Sequence, residues 1–348
     1  MTTLPADTFA SLSNEEILSQ SLHVGRIIST LSSYAARHGI PQSGSTHIMT
    51  EIGRGFQGAV FEQPGRLHVL KKEHAGNSTL PTNIQHEYAI HGLVVTAFDR
   101  FGPGASCRVQ VPRLSHFLEA AKLADEEFAG LPGGNCALEN TAEMERILPM
   151  PKVVRKALVG YVQGSHDMLD AIPNKHCLLR TYLGRMPPKK DATSLRNYPL
   201  DLAMMESLDL NVHYIADSMG AAFAIMHWGA GVNGDDVEFV LGTRLQSQTA
   251  EFVQEREVGL FLLDFGQCDA VDLRDEPAIV YQAFKGAMMT GDNQLFIPNL
   301  VQRPDLYSSF KEGYVRTGEN VLKQRHMDQV FNVEAFIAEY EEYAQDFL

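Results

Sequence analysis

Basic residues are scarce in this chain: 29 lysines and arginines stand against 43 aspartates and glutamates, a net charge of −14. Such a chain repels DNA and RNA unless a local basic patch overcomes its field. Its longest basic clusters, Lys71-Lys72 and Lys189-Lys190, are only pairs, so no nucleic-acid partner is expected. Long apolar runs are also missing. Nothing approaches the roughly 20 residues needed to cross a bilayer, and no membrane partner is expected. The opening stretch MTTLPADTFASLSNEEILSQ lacks the basic and apolar regions of a secretory signal, which points to a cytoplasmic setting. Cysteines number four and are widely spaced, with no C-x-x-C pair. They read as reduced and mostly buried, without the clustered ligands of a zinc site. What the chain does have is length and apolar content. Its 348 residues, 44% hydrophobic, suffice for one large two-lobed domain or two ordinary ones with a well-formed core.

The pattern of apolar residues divides the chain into three parts. Residues 13–38 carry Ile17, Leu18, Leu22, Ile27, Ile28, Leu31 and Tyr34 at helical spacing. A helix is expected there, started near Ser13 and stopped at Gly39 and Pro41, in an N-terminal extension over 1–44. From 47 short strand-like runs alternate with glycine turns, followed by a helix over 84–102 and two further strands around a Gly133-Gly134 loop. Pro149 and Pro151 mark a break, giving units over 45–150 and 151–348. The second unit is mainly helical. Its segment 212–229, VHYIADSMGAAFAIMHWG, is apolar nearly all round and reads as a buried central helix. VEFVLG and GLFLLDFG are short apolar strands, with a polar hairpin tip or insert between them.

Several stretches carry chemistry. Gly53-Arg54-Gly55-Phe56-Gln57-Gly58 fits G-x-G-x-x-G. A dinucleotide-binding turn would open a helix, whereas strand-like runs follow here. That leaves an ordinary glycine hairpin or a loop whose backbone N–H groups close over phosphates. Lys71 ends the next strand-like run, and Lys72 alternates to the opposite face. Glu87 lies on the following helix, where its carboxylate could orient Lys71. Far downstream, an apolar strand delivers Asp264-Phe265-Gly266 to a loop.

In that order along the chain, these features resemble the protein-kinase-like superfamily, including its aminoglycoside- and choline-kinase branch. More narrowly, MERILPMP, HCLLRTYLGR, SLRNYPL, MHWGAGVNGDDVEFVLG and LFLLDFGQC resemble a fungal family of kinase-like proteins known as a domain of unknown function and sometimes labelled zinc-finger-related. The resemblance implies an α+β, bilobal fold: a small N-lobe of antiparallel sheet plus helix and a larger, mainly helical C-lobe, with ATP in the cleft. It implies that Gly53, Gly55 and Gly58 cover the phosphates, that Lys71 holds them, and that Glu87 orients Lys71. Met144 would back the base pocket, and backbone groups of Glu145 to Ile147 would pair with the adenine edge. Asp236 and Asp264 would bind Mg²⁺.

The catalytic loop departs from the family pattern. Counting back from Asp236 puts Gly231 at the position of the usual base, and a glycine cannot accept a proton. Asp235 and Asn233 are the nearest alternatives. Asp235 reads equally as a turn residue in NGDD, and His227 reads more readily as a core histidine. Arg180 and Arg185 could bind an anionic substrate group or brace the loop. The expected function is an ATP- and Mg²⁺-dependent phosphotransferase acting on a small hydroxylated metabolite. The rivals are a nucleotide-binding pseudokinase serving a protein partner, and a kinase-fold enzyme that uses ATP for another transfer.

Overall fold

The computed structural model describes residues 3–4, 6–31, 49–63, 66–76, 83–105, 107–124, 128, 131–132, 136–169, 171–186, 194–250 and 253–346. The helix stop expected at Gly39 and Pro41, the Gly133-Gly134 loop and the Lys189-Lys190 pair lie outside them. The fold is mixed α+β, built on two sheets. The smaller sheet is antiparallel, in the order β3 (Thr50–Arg54), β4 (Gly58–Glu62), β5 (His68–Glu73), β8 (Thr141–Glu145), β7 (Leu114–Leu118). Helix α2 (Ile84–Phe101) packs against it, capped by the Asn83 side chain, which accepts from the His86 amide.

The larger sheet runs β1 (Thr3–Leu4), β2 (Ile27–Leu31), β12 (Val253–Leu263), β11 (Glu238–Ala250), β9 (Leu179–Tyr182), β10 (Tyr198–Asp201). The short β6 (Val109–Gln110) also pairs with β12. Strands β11 and β12 form one long hairpin from Glu238↔Leu263 to Ala250↔Val253. The polar segment between the two apolar strands therefore continues both of them.

The N-terminal stretch is not one helix. Ser13 and Glu16 form a reciprocal capping box, with the Glu16 amide on the Ser13 hydroxyl at 3.2 Å and the Ser13 amide on the Glu16 carboxylate at 2.7 Å. Helix α1 (Asn14–Ser21) then ends, and Gly25 turns the chain at a φ of +83°. Ile27 and Ile28, both β-branched, enter the sheet by pairing with Glu257 and Arg256 of β12. A free sheet edge outweighed the helical spacing of the apolar residues.

One core cluster runs through most of the molecule. At its centre is α5 (Val212–Ala224), with Ala216, Met219, Ala222 and Phe223 fully buried. It crosses α8 (Pro304–Gln324) closely because Gly220 and Gly313 present no Cβ: one at either position would collide with the Phe310 or Asp217 carbonyl oxygen. Around these lie α3 (Lys152–Tyr161), α4 (Leu202–Ser207), α6 (Pro277–Met288), α7 (Asn293–Phe296) and α9 (Val333–Gln345). Beyond Ala224 the helix widens into a π turn, Ile225–Ala230. There Trp228 and His227 are buried among Phe284, Tyr314, Phe331 and Phe336. His227 is thus a core histidine. None of the described helices is long and apolar enough to cross a membrane.

Candidate active site

The β3–β4 hairpin roofs the site. Strands leave its glycine turn on both sides, so it does not open a helix as a dinucleotide-binding turn would. The Gly55 amide closes the turn on the Gly58 carbonyl at 2.9 Å. A Cβ at Gly58 would strike the Lys72 carbonyl oxygen. From the same turn Gln57 donates a side-chain N–H to the Gly266 carbonyl at 2.7 Å, tying the roof to the loop after β12.

Two carboxylates from different parts of the chain meet one ammonium beneath this roof. Alternation along β5 sends Lys71 inward, while Lys72 lies on the other face over the Phe128 ring. Lys71 Nζ is 2.6 Å from Glu87 Oε1 on α2 and 3.1 Å from Asp264 Oδ1 at the end of β12. Burial pulls the Lys71 ammonium down, but Asp264 and Glu87 together outweigh it and hold its pKa above the ordinary value. Burial raises Asp264 too, yet Lys71 prevails and keeps that carboxyl below its usual range. For Glu87, burial wins over the attraction of Lys71 and raises it. Asp264 is crowded by protein but keeps 43% of its side-chain surface open to the cleft. It is presented by a left-handed backbone, φ +66°, while the following Phe265 is wholly buried against His91 of α2.

A cleft of about 740 Å³ opens below the glycine turn. That is the size of a site for a drug-sized ligand. Ile52, Val60 and Val69 line it from the smaller sheet and Leu178 from the opposite wall, with Met144 to Ile147 along one end. The Glu145 and Arg146 amides are taken up by the Arg113 and Leu67 carbonyls at 2.7 and 2.8 Å. Among the described residues the Ile147 amide has no backbone acceptor. Of the three residues expected to meet a base edge, Ile147 is the one whose N–H remains available.

Sequence reasoning missed a second charged group on the cleft wall. Glu238 of β11 pairs in register with Leu263, beside Asp264, and forms an ion pair with Arg180 of β9. Arg180 also donates to the Tyr182 hydroxyl at 3.2 Å and lies 3.5 Å from Asp292. Burial, then Asp264 and Asp292, raise the Glu238 carboxyl to about 7 against the pull of Arg180. Arg180 therefore braces the wall through two carboxylates. The signal was an acid inside the apolar run Val237-Glu238-Phe239-Val240.

Asn233, Asp235 and Asp236 are not among the residues lining the cleft. Asn233 is a staple: its side-chain oxygen accepts from the Asp269 amide at 2.8 Å and the Asp235 amide at 3.3 Å. Asp235 accepts the Thr290 hydroxyl proton. Asp236, also left-handed at φ +54°, accepts from the Asp292 amide at 2.7 Å and from Gln267 at 2.5 Å. Burial raises both aspartates, and Asp292 and Asp264 raise Asp236 further. Gly231 closes the π turn at φ +66°, with the Val271 carbonyl oxygen 2.9 Å from where a Cβ would stand. Gly231→Ala should cost about 1–3 kcal/mol, from the left-handed backbone plus that contact. The urea midpoint of the variant measures it, and an unchanged midpoint would refute this account of the glycine. Among the described residues no three His, Cys, Asp or Glu side chains converge as a metal cage. Neither any protein-family model nor any curated protein matches this chain.

Proposed function

We propose that the chain is an ATP- and Mg²⁺-dependent phosphotransferase with an atypical catalytic loop, acting on a small hydroxylated metabolite, and that its two sheets belong to a bilobal, kinase-like arrangement. The observation that carries this reading is Lys71 held between Glu87 and Asp264 under a glycine hairpin. An ammonium oriented by one buried carboxylate and facing another suits the α/β-phosphates of a nucleotide. Ile52, Val60 and Val69 opposite Leu178 give a planar base two apolar faces, and the Ile147 amide gives its edge a donor.

The donor chemistry fits a hard divalent cation. Glu87 and Asp264 face Lys71, Glu238 and Asp292 face Arg180, and Asp236 is crowded by Asp292 and Asp264, so among the described residues this region carries surplus negative charge on oxygen ligands. Of the two carboxylates on Lys71, Asp264 is the more exposed. Asp236 would exchange the Gln267 donor for the ion. Bound there, Mg²⁺ would neutralise phosphate charge. The acceptor is small on this reading because no Ala-Pro-Glu motif follows Asp264-Phe265-Gly266 to anchor a long activation loop.

A pseudokinase reading is favoured by one observation. Gly231 carries no base, and the nearest carboxylate, Asp235, is bonded to Thr290 outside the cleft wall. General-base assistance supplies about 10²–10⁴-fold, whereas phosphoryl transfer rests mainly on positioning and charge neutralisation. Slow turnover is therefore the expectation. Mg-ATP at 100 times its Kd should stabilise the protein by about 2.7 kcal/mol. Asp264→Asn should remove both that thermal shift and ATP turnover. A shift with no turnover on any acceptor selects the pseudokinase, and no shift at all ends both readings.

A further inference from the structure

The cleft is acidic around Asp264 but cationic at its mouth. The mouth is formed by residues 194–199, which lead into β10 and reach across to the roof. Arg196 Nη2 lies 3.6 Å from the position of a Gly53 Cβ. Its half-buried guanidinium has no hydrogen bond or ion pair among the described residues. The one carboxylate near it, Glu51, is taken up by Arg54 at 2.9 and 2.5 Å. Burial and the neighbouring Arg54 accordingly lower the pKa of Arg196, against the pull of Glu51. His176, on the same wall, has Arg146, Arg155, Arg196 and Lys175 around it, but Arg146 is ion-paired with Glu62, and only Arg146 and Arg196 of these line the cavity beside it. In a protein of net charge −14, a guanidinium facing a cavity while its neighbours Arg54 and Arg146 are already paired with Glu51 and Glu62 is a local surplus of positive charge.

Register places this wall relative to Lys71. Gly53 pairs with Val60 and Val60 with Lys71, so the three form one row across the sheet. Two strand spacings, roughly 10 Å, separate the strand above Arg196 from the strand carrying Lys71. An anion on Arg196 is therefore not the one on Lys71. The order β3-β4-β5-β8 puts Lys71 between Gly53 and the Met144–Ile147 end, so with 5′-phosphates at Lys71 a separate anion on Arg196 belongs to another arm of the nucleotide, and the ribose is the arm that can carry one.

We propose that Arg196 is an anion-recognition residue and that the cleft prefers a nucleotide carrying a phosphate on its ribose. This rests on the nucleotide reading of the cleft given above. A charge-assisted, multidentate contact from a half-desolvated guanidinium is worth tenfold or more in affinity, about the strength of one hydrogen bond to a charged group.

Titration calorimetry of the full chain with AMP, ATP, adenosine 2′,5′-bisphosphate and adenosine 3′,5′-bisphosphate tests it. One of the two bisphosphates should bind at least about tenfold more tightly than AMP. Which one does so identifies the ribose position. Arg196→Gln should abolish the preference while changing AMP affinity less than about twofold, since Arg196 is remote from the 5′-phosphate end. Bisphosphates no tighter than AMP, or a preference that survives Arg196→Gln, would overturn the inference and leave the phosphotransferase reading standing if ATP still binds. Failure of all four nucleotides to bind would overturn both.

Discussion

Lys71→Met will lose about 3–5 kcal/mol of stability and all response to Mg-ATP, because it leaves Glu87 buried without its counter-charge. The Glu87 side chain is 6% exposed, and its second oxygen, Oε2, has no hydrogen-bond partner. Water cannot replace the ammonium there. Asp264, 43% exposed, recovers part of its solvation and adds less. For a chain of this size the loss corresponds to a fall in Tm of roughly 4–7 °C. A second substitution separates lost charge pairing from lost packing. In the Lys71→Met/Glu87→Leu pair both members become apolar, and most of the stability should return while nucleotide binding does not. Urea melts of the single and double variants provide the measurement. A single variant that costs under about 1 kcal/mol would mean the triad behaves as a surface pair, and the site as drawn would be wrong.

Those three residues were also the most legible part of the sequence, for a geometric reason. Period-two alternation chose Lys71 over Lys72, the first turn of a capped helix fixed Glu87, and an apolar strand ending at a turn fixed Asp264. Each is local, and only their meeting is tertiary. What stayed hidden depends on which face a neighbour covers. Glu238 alternates with Val237 and Phe239, which reads as the wet face of a strand. Here that face closes on β9 and the cleft, so the acid is desolvated against Arg180. Asp235 could be a base or a turn residue by type alone, and the Thr290 hydroxyl, contributed from 55 positions away, decides its surroundings. Ile27, Ile28 and Leu31 fit a helix as well as a strand, and only the exposed edge of β12 drew them into the sheet. Arg196 lies in SLRNYPL, one of the stretches that carry the resemblance, but its role was not legible there, because a surface arginine and one over a cavity look alike in sequence.

Mild acid will unfold the protein, and histidine rather than carboxylate chemistry will set the limb. Among the described residues, three imidazoles are pushed furthest below their ordinary value and held neutral in the fold. His227, fully buried, donates Nε2–H to the Asn233 carbonyl at 3.1 Å, accepts the Tyr314 hydroxyl at 2.7 Å and stacks on Phe284. His91 donates to the Pro112 carbonyl at 2.8 Å. His176 lies among the cations of the cleft mouth. Burial depresses His227 to about 3 and His91 and His176 to about 4. Below pH 6.5 the unfolded chain takes up these protons and the fold does not, so stability is complete above 6.5 and falls as the pH drops toward 4. Each group loses about 1.4 kcal/mol per pH unit, about 10 kcal/mol for the three over that window. Glu238 acts in the opposite sense. Its folded value near 7 lies above the unfolded one, so it adds about 3 kcal/mol as the pH falls through the same range. The balance is comparable to the whole stability of a typical domain, about 5–15 kcal/mol. Urea unfolding at a series of pH values should give a constant free energy above pH 7 and a decline of roughly 2–4 kcal/mol per unit below 6. His91→Phe should start lower at pH 8, since the Pro112 carbonyl loses its donor, yet decline less steeply by one proton. A free energy that stays flat from pH 7 to 4.5 would mean that water reaches these imidazoles and that the packing around the π turn and α2 is looser than described.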